Sequence, residues 1–163
     1  MPATVQLIEK NGAGGAATDK TGGSIRFKNA DNATVDLLNP LVKPTSGSDF
    51  SFEKWLRLNV TGGSYTQITN VRGYMDGASG LGTGVNLWAR AAASYATPVE
   101  PSTSTGFADA FSYTSVSPLS LGAGPFTGTG EIGSHLVMAM EVTAAVSSGL
   151  TPAESLTVAW DEI

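Results

Sequence analysis

The side chain with the clearest catalytic potential is His135, the one histidine in this chain of 163 residues. An imidazole titrates near neutral pH, so it can act as a general base when a nucleophile and an acidic group lie within reach. Ser134 and Glu131 are close to it in the sequence. Adjacent residues on a β-strand point to opposite faces, however, which separates Ser134 from His135. We therefore interpret His135 as a surface or subunit-contact residue and expect no catalytic site.

Acidic side chains beside predicted turns are a second candidate, as ligands for Ca²⁺. Calcium needs six or more oxygen ligands, several of them from one compact loop, and the sequence has no Asp-x-Asp-x-Asp run. We interpret these residues instead as Asx turns, in which the carboxylate accepts from nearby backbone. The chain has no cysteine, so thiolate metal sites are excluded, and we expect neither a metal nor a cofactor. The acidic residues are Asp31, Asp36, Asp49, Asp76 and Asp109.

Two other patterns with chemical potential are weak. The glycine-rich runs 12–15, 80–84 and 122–124 are not followed by Lys-Ser/Thr, as a phosphate-binding loop requires. Asp161 and Glu162, next to Trp160, are the one carboxylate pair beside an aromatic ring that would suit glycoside hydrolysis. We interpret this pair as a solvated strand end.

The larger aromatic residues could form a platform on which sugar rings stack. In a β-sandwich such residues are more often core or interface anchors, but carbohydrate binding stays open as an alternative. The candidates are Trp55, Trp88, Trp160, Tyr65, Tyr74, Tyr95 and Tyr113.

Charge and hydropathy exclude some partners. The formal net charge is −5, and the nine basic residues are scattered, whereas nucleic-acid binding depends on clustered Lys and Arg. The most apolar stretch, 136–146, is too short to span a bilayer and contains Glu141. The N-terminus lacks the basic and apolar regions of a signal peptide. We therefore expect synthesis in the cytoplasm, with neither nucleic acid nor membrane as a partner.

The low charged fraction favours assembly over a solitary existence. Charged residues make up 14% of the chain, against about 25% in an ordinary soluble domain. Copies of such a chain repel one another weakly, which suits permanent association. Because few titratable groups are available to build a reactive pocket, the composition predicts a protein that is not an enzyme.

The spacing of glycine and proline, with alternating segments between them, predicts eight or nine strands and no helix. We expect an antiparallel β-sandwich, jelly-roll-like, in a single domain over 1–163, with 1–23 forming an N-terminal strand or arm and a flexible Gly-rich loop. The segment 97–130 is predicted to be a long loop holding one or two short strands. Predicted strands cover 4–9, 24–28, 33–37, 50–60, 65–74, 85–90, 135–146 and 155–160.

The clearest strand, 50–60, has an imperfect pattern near its centre. Lys54 falls on the apolar face and Trp55 on the polar face, so the pattern predicts a bulge or a second buried face at this point. The Gly62-Gly63 turn that follows predicts a hairpin with 65–74.

Three stretches of the sequence resemble the head decoration proteins (cement or auxiliary capsid proteins) of tailed bacteriophages. They are TVQLIEKNGAGG near the start, FEKWLRLNVTGGSYTQITNVRGYMDG in the middle, and HLVMAMEVTAAVSSGLTPAESLTVAWDEI at the end. Together they cover more than half of the chain.

The resemblance implies a virion protein on the outer capsid surface. Such a protein would stabilise the lattice of the major capsid protein, its partner, and would self-associate as a homotrimer. One alternative is a tail or baseplate module that binds host carbohydrate. Another is a different virion protein, such as a tail-tube subunit, and a hydrolase built on a β-sandwich is the least favoured.

Overall fold

The computed structural model describes residues 2–163, of which 42% lie in strands and 2% in helix. The regular secondary structure is therefore almost entirely β. All strand pairs are antiparallel, which confirms the predicted all-β sandwich. A single 3-10 turn, Ala110–Ser112, lies between the seventh and eighth strands. The strands are β1 (Thr4–Asn11), β2 (Ala16–Asp19), β3 (Ser48–Phe50), β4 (Lys54–Gly62), β5 (Ile68–Tyr74), β6 (Val85–Ala92), β7 (Ala108–Asp109), β8 (Leu119–Gly122), β9 (Gly130–Thr143) and β10 (Thr157–Glu162).

The larger sheet is organised around β9, a strand of 14 residues. Its order is β2-β1-β4-β9-β6-β7, and β3 also pairs with β9, beyond the end of β4. Every residue from 135 to 140 is buried, so both faces of this strand are covered. A nearly continuous apolar run is what such a doubly covered strand requires.

The second layer consists of the smaller sheet, β10-β5-β8, together with the irregular segment 20–47. Leu56, Leu58 and Val60 of β4 face this layer and form part of the core. Ile25, Phe27 and Leu41 of the irregular segment pack against the same core. The larger sheet has seven strands and the smaller sheet only three, because much of this second layer lacks regular strand pairing.

The predicted hairpin between β4 and β5 is wrong. β4 pairs with β1 and β9, whereas β5 pairs with β8 and β10 in the other sheet. Gly63 does adopt a positive φ of 106°, as the Gly-Gly signal indicates. The turn therefore carries the chain from one layer to the other and does not reverse it within a sheet.

The N-terminal half contains further differences from the prediction. The segments 24–28 and 33–37 form no strand, and 11–23 contains β2 where a flexible loop was expected. Residues 4–11 pair with β2 on one side and β4 on the other, so they are an interior strand of this fold. Met1, the first residue of the predicted arm, lies outside the described residues.

Two other expectations are confirmed. The segment 97–130 holds the short strands β7 and β8. The irregularity predicted near the centre of β4 is a register shift against β9, where Leu56 pairs with Leu136 but Leu58 pairs with Ile132. Both faces of β4 are also buried at this point, because Lys54, Trp55 and Leu56 are all buried. Among residues 2–163, no helix is long and apolar enough to cross a membrane.

Candidate functional site

His135 lies on the outer face of the larger sheet, opposite Ala92 of β6. Its side chain is completely buried, so the prediction of a surface histidine is wrong. The reason is the segment 93–107, which follows β6 and returns across this face. Its Tyr95 ring lies 5.8 Å from the imidazole, and the Trp55 ring lies 5.4 Å from it (centroid distances). We call Trp55, Tyr95 and His135 the aromatic triad.

A bulge in β9 positions the imidazole. Between the pairs Leu58–Ile132 and Leu56–Leu136, β9 contains two more residues than β4. Gly133 absorbs this excess with a φ of +69°, and a Cβ there would lie 2.7 Å from the carbonyl oxygen of Leu121. Only glycine fits this position without strain.

The imidazole is held as a neutral group. Burial lowers the pKa of His135, and the positive charge of Arg57 lowers it further, against a raising effect of the hydrogen bond to Ala92. Nδ1 lies 3.3 Å from the Ala92 carbonyl oxygen, which can only accept, so Nδ1 carries the proton. Nε2 is buried without a hydrogen-bond partner.

Charged groups surround the aromatic triad. Glu131 pairs with Lys10 at 2.7 Å and with Arg57 at 3.0 Å. Partial burial opposes ionisation of Glu131, but the hydrogen bond from Lys10 and the two cations hold its pKa below the usual value. The Lys10 ammonium also lies 5.2 Å from the Tyr95 ring centroid, within range of a cation–π interaction. The Glu131 carboxylate is thus engaged in ion pairs with Lys10 and Arg57.

Tyr95 joins the segment 93–107 to the turn between β1 and β2. Burial and the charge of Asp31 raise the pKa of its phenol, so the hydroxyl remains a donor. It donates to the carbonyl oxygen of Gly12 at 2.6 Å. At the other end of the segment, the Arg90 guanidinium lies 4.9 Å from the Phe107 ring and 5.5 Å from the Trp55 ring.

The structure does not bring the predicted catalytic candidates together. Within the described chain, no hydrogen bond joins His135 to Ser134 or Glu131, and the imidazole has no exposed surface. A substrate would have to displace the segment 93–107 to reach Nε2. The contacts of His135 are those of a packed side chain.

The acidic turn residues accept hydrogen bonds from backbone. Asp36, Asp76 and Asp109 each accept from the amide two residues ahead, which confirms the Asx-turn interpretation for these three. Asp31 accepts from Gly12 N, and Asp49 from Val42 N. No group of three or more metal-ligating side chains occurs among residues 2–163.

The terminal carboxylates join strands. Asp161 pairs with Arg72 at 3.0 Å and accepts from Asn70 at 2.8 Å, which ties β10 to β5. These two interactions lower the pKa of Asp161. Glu162 accepts from the Ala3 amide. The groove beside Asp161, of about 360 Å³, is open to solvent and lined by groups already bonded to one another.

The seven aromatic candidates for sugar stacking are packed within the fold. Each of the seven is buried or half-buried. Trp55 and Tyr95 face His135, whereas Trp160, Tyr65 and Tyr113 pack against the core. Trp88 donates to Glu141 at 2.9 Å. These rings are spread over both layers.

A cluster that sequence reasoning missed lies at the edge of the core. Lys20, Lys28 and Lys54 are buried, and their ammonium groups donate to three consecutive backbone carbonyls of the irregular segment. The three carbonyls belong to Asn32, Ala33 and Thr34, in the donor order Lys54, Lys20 and Lys28. We call the three donors, Lys20, Lys28 and Lys54, the lysine clamp.

The anions of this cluster are few. Glu9, completely buried, lies 3.0 Å from Lys54 and 3.6 Å from Lys20. Asp36, partly exposed, lies 3.0 Å from Lys28. The signal in the sequence was Lys54 on the apolar face of its strand, because a buried ammonium requires an anion or carbonyl partner. Nothing in the sequence identified that partner.

The chain was compared with protein-family models, with curated proteins and with solved structures, and no match was found in any of the three comparisons.

Proposed function

We propose that this protein is a structural component of a bacteriophage virion that decorates the outer capsid surface. In this proposal it binds the major capsid protein, self-associates as a homotrimer, and stabilises the assembled lattice. A ligand that binds only the assembled state shifts the equilibrium toward that state by mass action. Several copies linked in one oligomer multiply modest contacts through their effective concentration.

The observation that carries the proposal is the division between polar and apolar groups. His135 and the lysine clamp, which have reactive potential, are buried inside the fold. Several large aliphatic side chains are left exposed instead, and four of them lie within residues 35–42, a clustering that is expected of a surface that binds protein. The exposed aliphatic residues are Val35, Leu37, Leu38, Val42, Val99, Val116, Leu150 and Ile163.

The alternative of carbohydrate binding gains no support from the structure. Sugar recognition uses accessible aromatic faces, and the seven candidate rings are buried or half-buried. A role in another virion assembly, such as a tail tube, uses the same kind of exposed apolar surface. The experiment must therefore separate capsid binding from assembly in general.

The test is co-sedimentation with purified capsid shells assembled from the major capsid protein of the same genome. We expect saturable binding to expanded shells, and a higher temperature of shell disruption when the protein is bound. Purified tail tubes serve as the control particle. Failure to sediment with shells, or equal binding to tails and shells, would overturn the proposal.

A further inference from the structure

The segment 33–42, here called the apolar segment, presents four large aliphatic side chains to solvent. Val35, Leu37, Leu38 and Val42 are between 55% and 68% exposed. They lie within eight consecutive residues. Exposed apolar residues that cluster, unlike those scattered singly, often mark a site of interaction.

This exposure is not the result of a loose loop. The lysine clamp holds the backbone at residues 32–34. Asn29 N donates to Asn39 O at 2.8 Å, and Leu41 packs inward against the core. Asp36 accepts from Lys28 and from the amide of Leu38. The segment is therefore fixed along its length, with its apolar side chains outward.

The energetics make this arrangement costly unless the apolar surface is covered. Burying an ammonium group is unfavourable without close partners, and the fold buries three of them to hold this segment. Each large aliphatic side chain left in water also forgoes the favourable free energy of burial. A preorganised apolar surface lowers the entropic cost of binding, because its backbone is already ordered.

Charge restricts what can cover the segment. Asp36 is the one ionisable residue within 33–42, and it is paired with Lys28. The residues 33–42 themselves therefore offer no free charge to complement, so the occupant that matches them presents an uncharged, apolar surface. A second copy of the same chain presents such a surface, and in a cyclic oligomer the same residues of different copies meet where they lie close to the rotation axis.

We propose that the apolar segments of neighbouring copies pack against one another and form the centre of the interface for self-association. This inference refines the proposed function and rests on its self-association component. The four side chains are fewer than the roughly 20–30 residues that each partner contributes to a stable interface. The apolar segment is thus the centre of the contact, and polar residues around it form the rim.

The test is the mass of the protein in solution, measured by sedimentation equilibrium over a range of concentrations without shells. We expect the wild type to form an oligomer. The double substitution Leu37→Ser/Leu38→Ser should raise the dissociation constant at least about tenfold, with unchanged circular dichroism. The matched control is Val116→Ser, which removes an even more exposed aliphatic residue, 92% exposed, outside the apolar segment.

A second variant provides an independent test in case the first does not fold. Val42→Lys places a charge in the proposed contact while its backbone amide still donates to Asp49, and it should also dissociate the oligomer. A monomeric wild type, or an oligomer unaffected by both variants, would overturn the inference. A monomer that still binds shells would overturn this inference alone, whereas an oligomer that ignores shells would overturn only the proposed capsid role.

Discussion

At the level of single residues, this protein uses its charged side chains to hold backbone in place. The lysine clamp is the clearest case, since each ammonium reaches a carbonyl oxygen that has no strand partner. Buried backbone polar groups must be satisfied, and in the segment 20–47 side chains supply much of what a β-ladder supplies elsewhere.

Removing one charge from this cluster should therefore destabilise the fold. Lys54→Met leaves Glu9 buried with only the more distant Lys20 as an ion partner, 3.6 Å away. Breaking a buried pair in this way costs about 3 kcal/mol or more, measurable by urea unfolding. Lys43→Met, at an exposed position, is the control and should change stability by less than about 0.5 kcal/mol. Equal effects of the two substitutions would show that the pair with Glu9 is unimportant.

His135 gives the stability a defined pH dependence. Its pKa is lowered in the folded state, so below pH 6.5 the unfolded state binds more protons, and stability falls as pH decreases through the folded pKa. Glu131 and Glu141 have pKa values below their ordinary 4.5; their contributions are present above that value and are lost only at lower pH. Loss of stability between about pH 6.5 and 5 thus reports the imidazole.

The measurement is urea unfolding of the wild type and of His135→Gln at several pH values. Glutamine can still donate to the Ala92 carbonyl but does not titrate. Stability of the variant should be flat between about pH 6.5 and 5, while that of the wild type declines. The same decline in both proteins would assign it to another group.

At the level of elements, the position of β9 against β4 depends on one bulge. Gly133→Ala would force a Cβ into the left-handed region and to within 2.7 Å of the Leu121 carbonyl oxygen. We expect a loss of about 2 kcal/mol. Gly128→Ala is the matched control, because nothing lies within 4 Å of a Cβ there and its φ is not positive. A thermal melt that separates the two variants would confirm the role of the bulge, and equal melting would contradict it.

Sequence patterns identified individual elements better than their partners. The alternation of 50–60 and 135–146 indicated β4 and β9, because successive side chains of a strand point to opposite faces of the sheet. The same reasoning failed at 24–28, where Ile25 and Phe27 do pack against the core, as alternation predicts, but the backbone forms no strand. Alternation reports which way side chains point, whereas pairing depends on distant segments.

The candidate site shows the same limit. The burial of His135 depends on Tyr95, which lies 40 positions earlier and reaches it only because the segment 93–107 crosses the sheet. Lys54 was conspicuous on an apolar face, but its partners Glu9 and Asn32 come from a neighbouring strand and an irregular segment. The residue types indicated that a side chain such as Lys54 needed a partner. Which residue is that partner depends on the tertiary fold.

At the level of the whole molecule, the proposed self-association through the apolar segment predicts a characteristic response to salt, because the chain is acidic. The net charge of −5 makes copies repel one another, and added salt screens that repulsion, with a Debye length falling from about 30 Å at 0.01 M to about 3 Å at 1 M. The apolar contact itself is not weakened by screening. The dissociation constant of the oligomer should therefore stay constant or decrease as sodium chloride is raised.

Sedimentation equilibrium at low and high salt measures this directly, with Val42→Lys as a comparison. In that variant the introduced cations would repel one another across the contact, so salt should restore part of its association. Dissociation of the wild-type oligomer by salt would instead mean that ion pairs hold the copies together. Such pairs would have to come from groups outside 33–42, since Asp36 is already paired with Lys28.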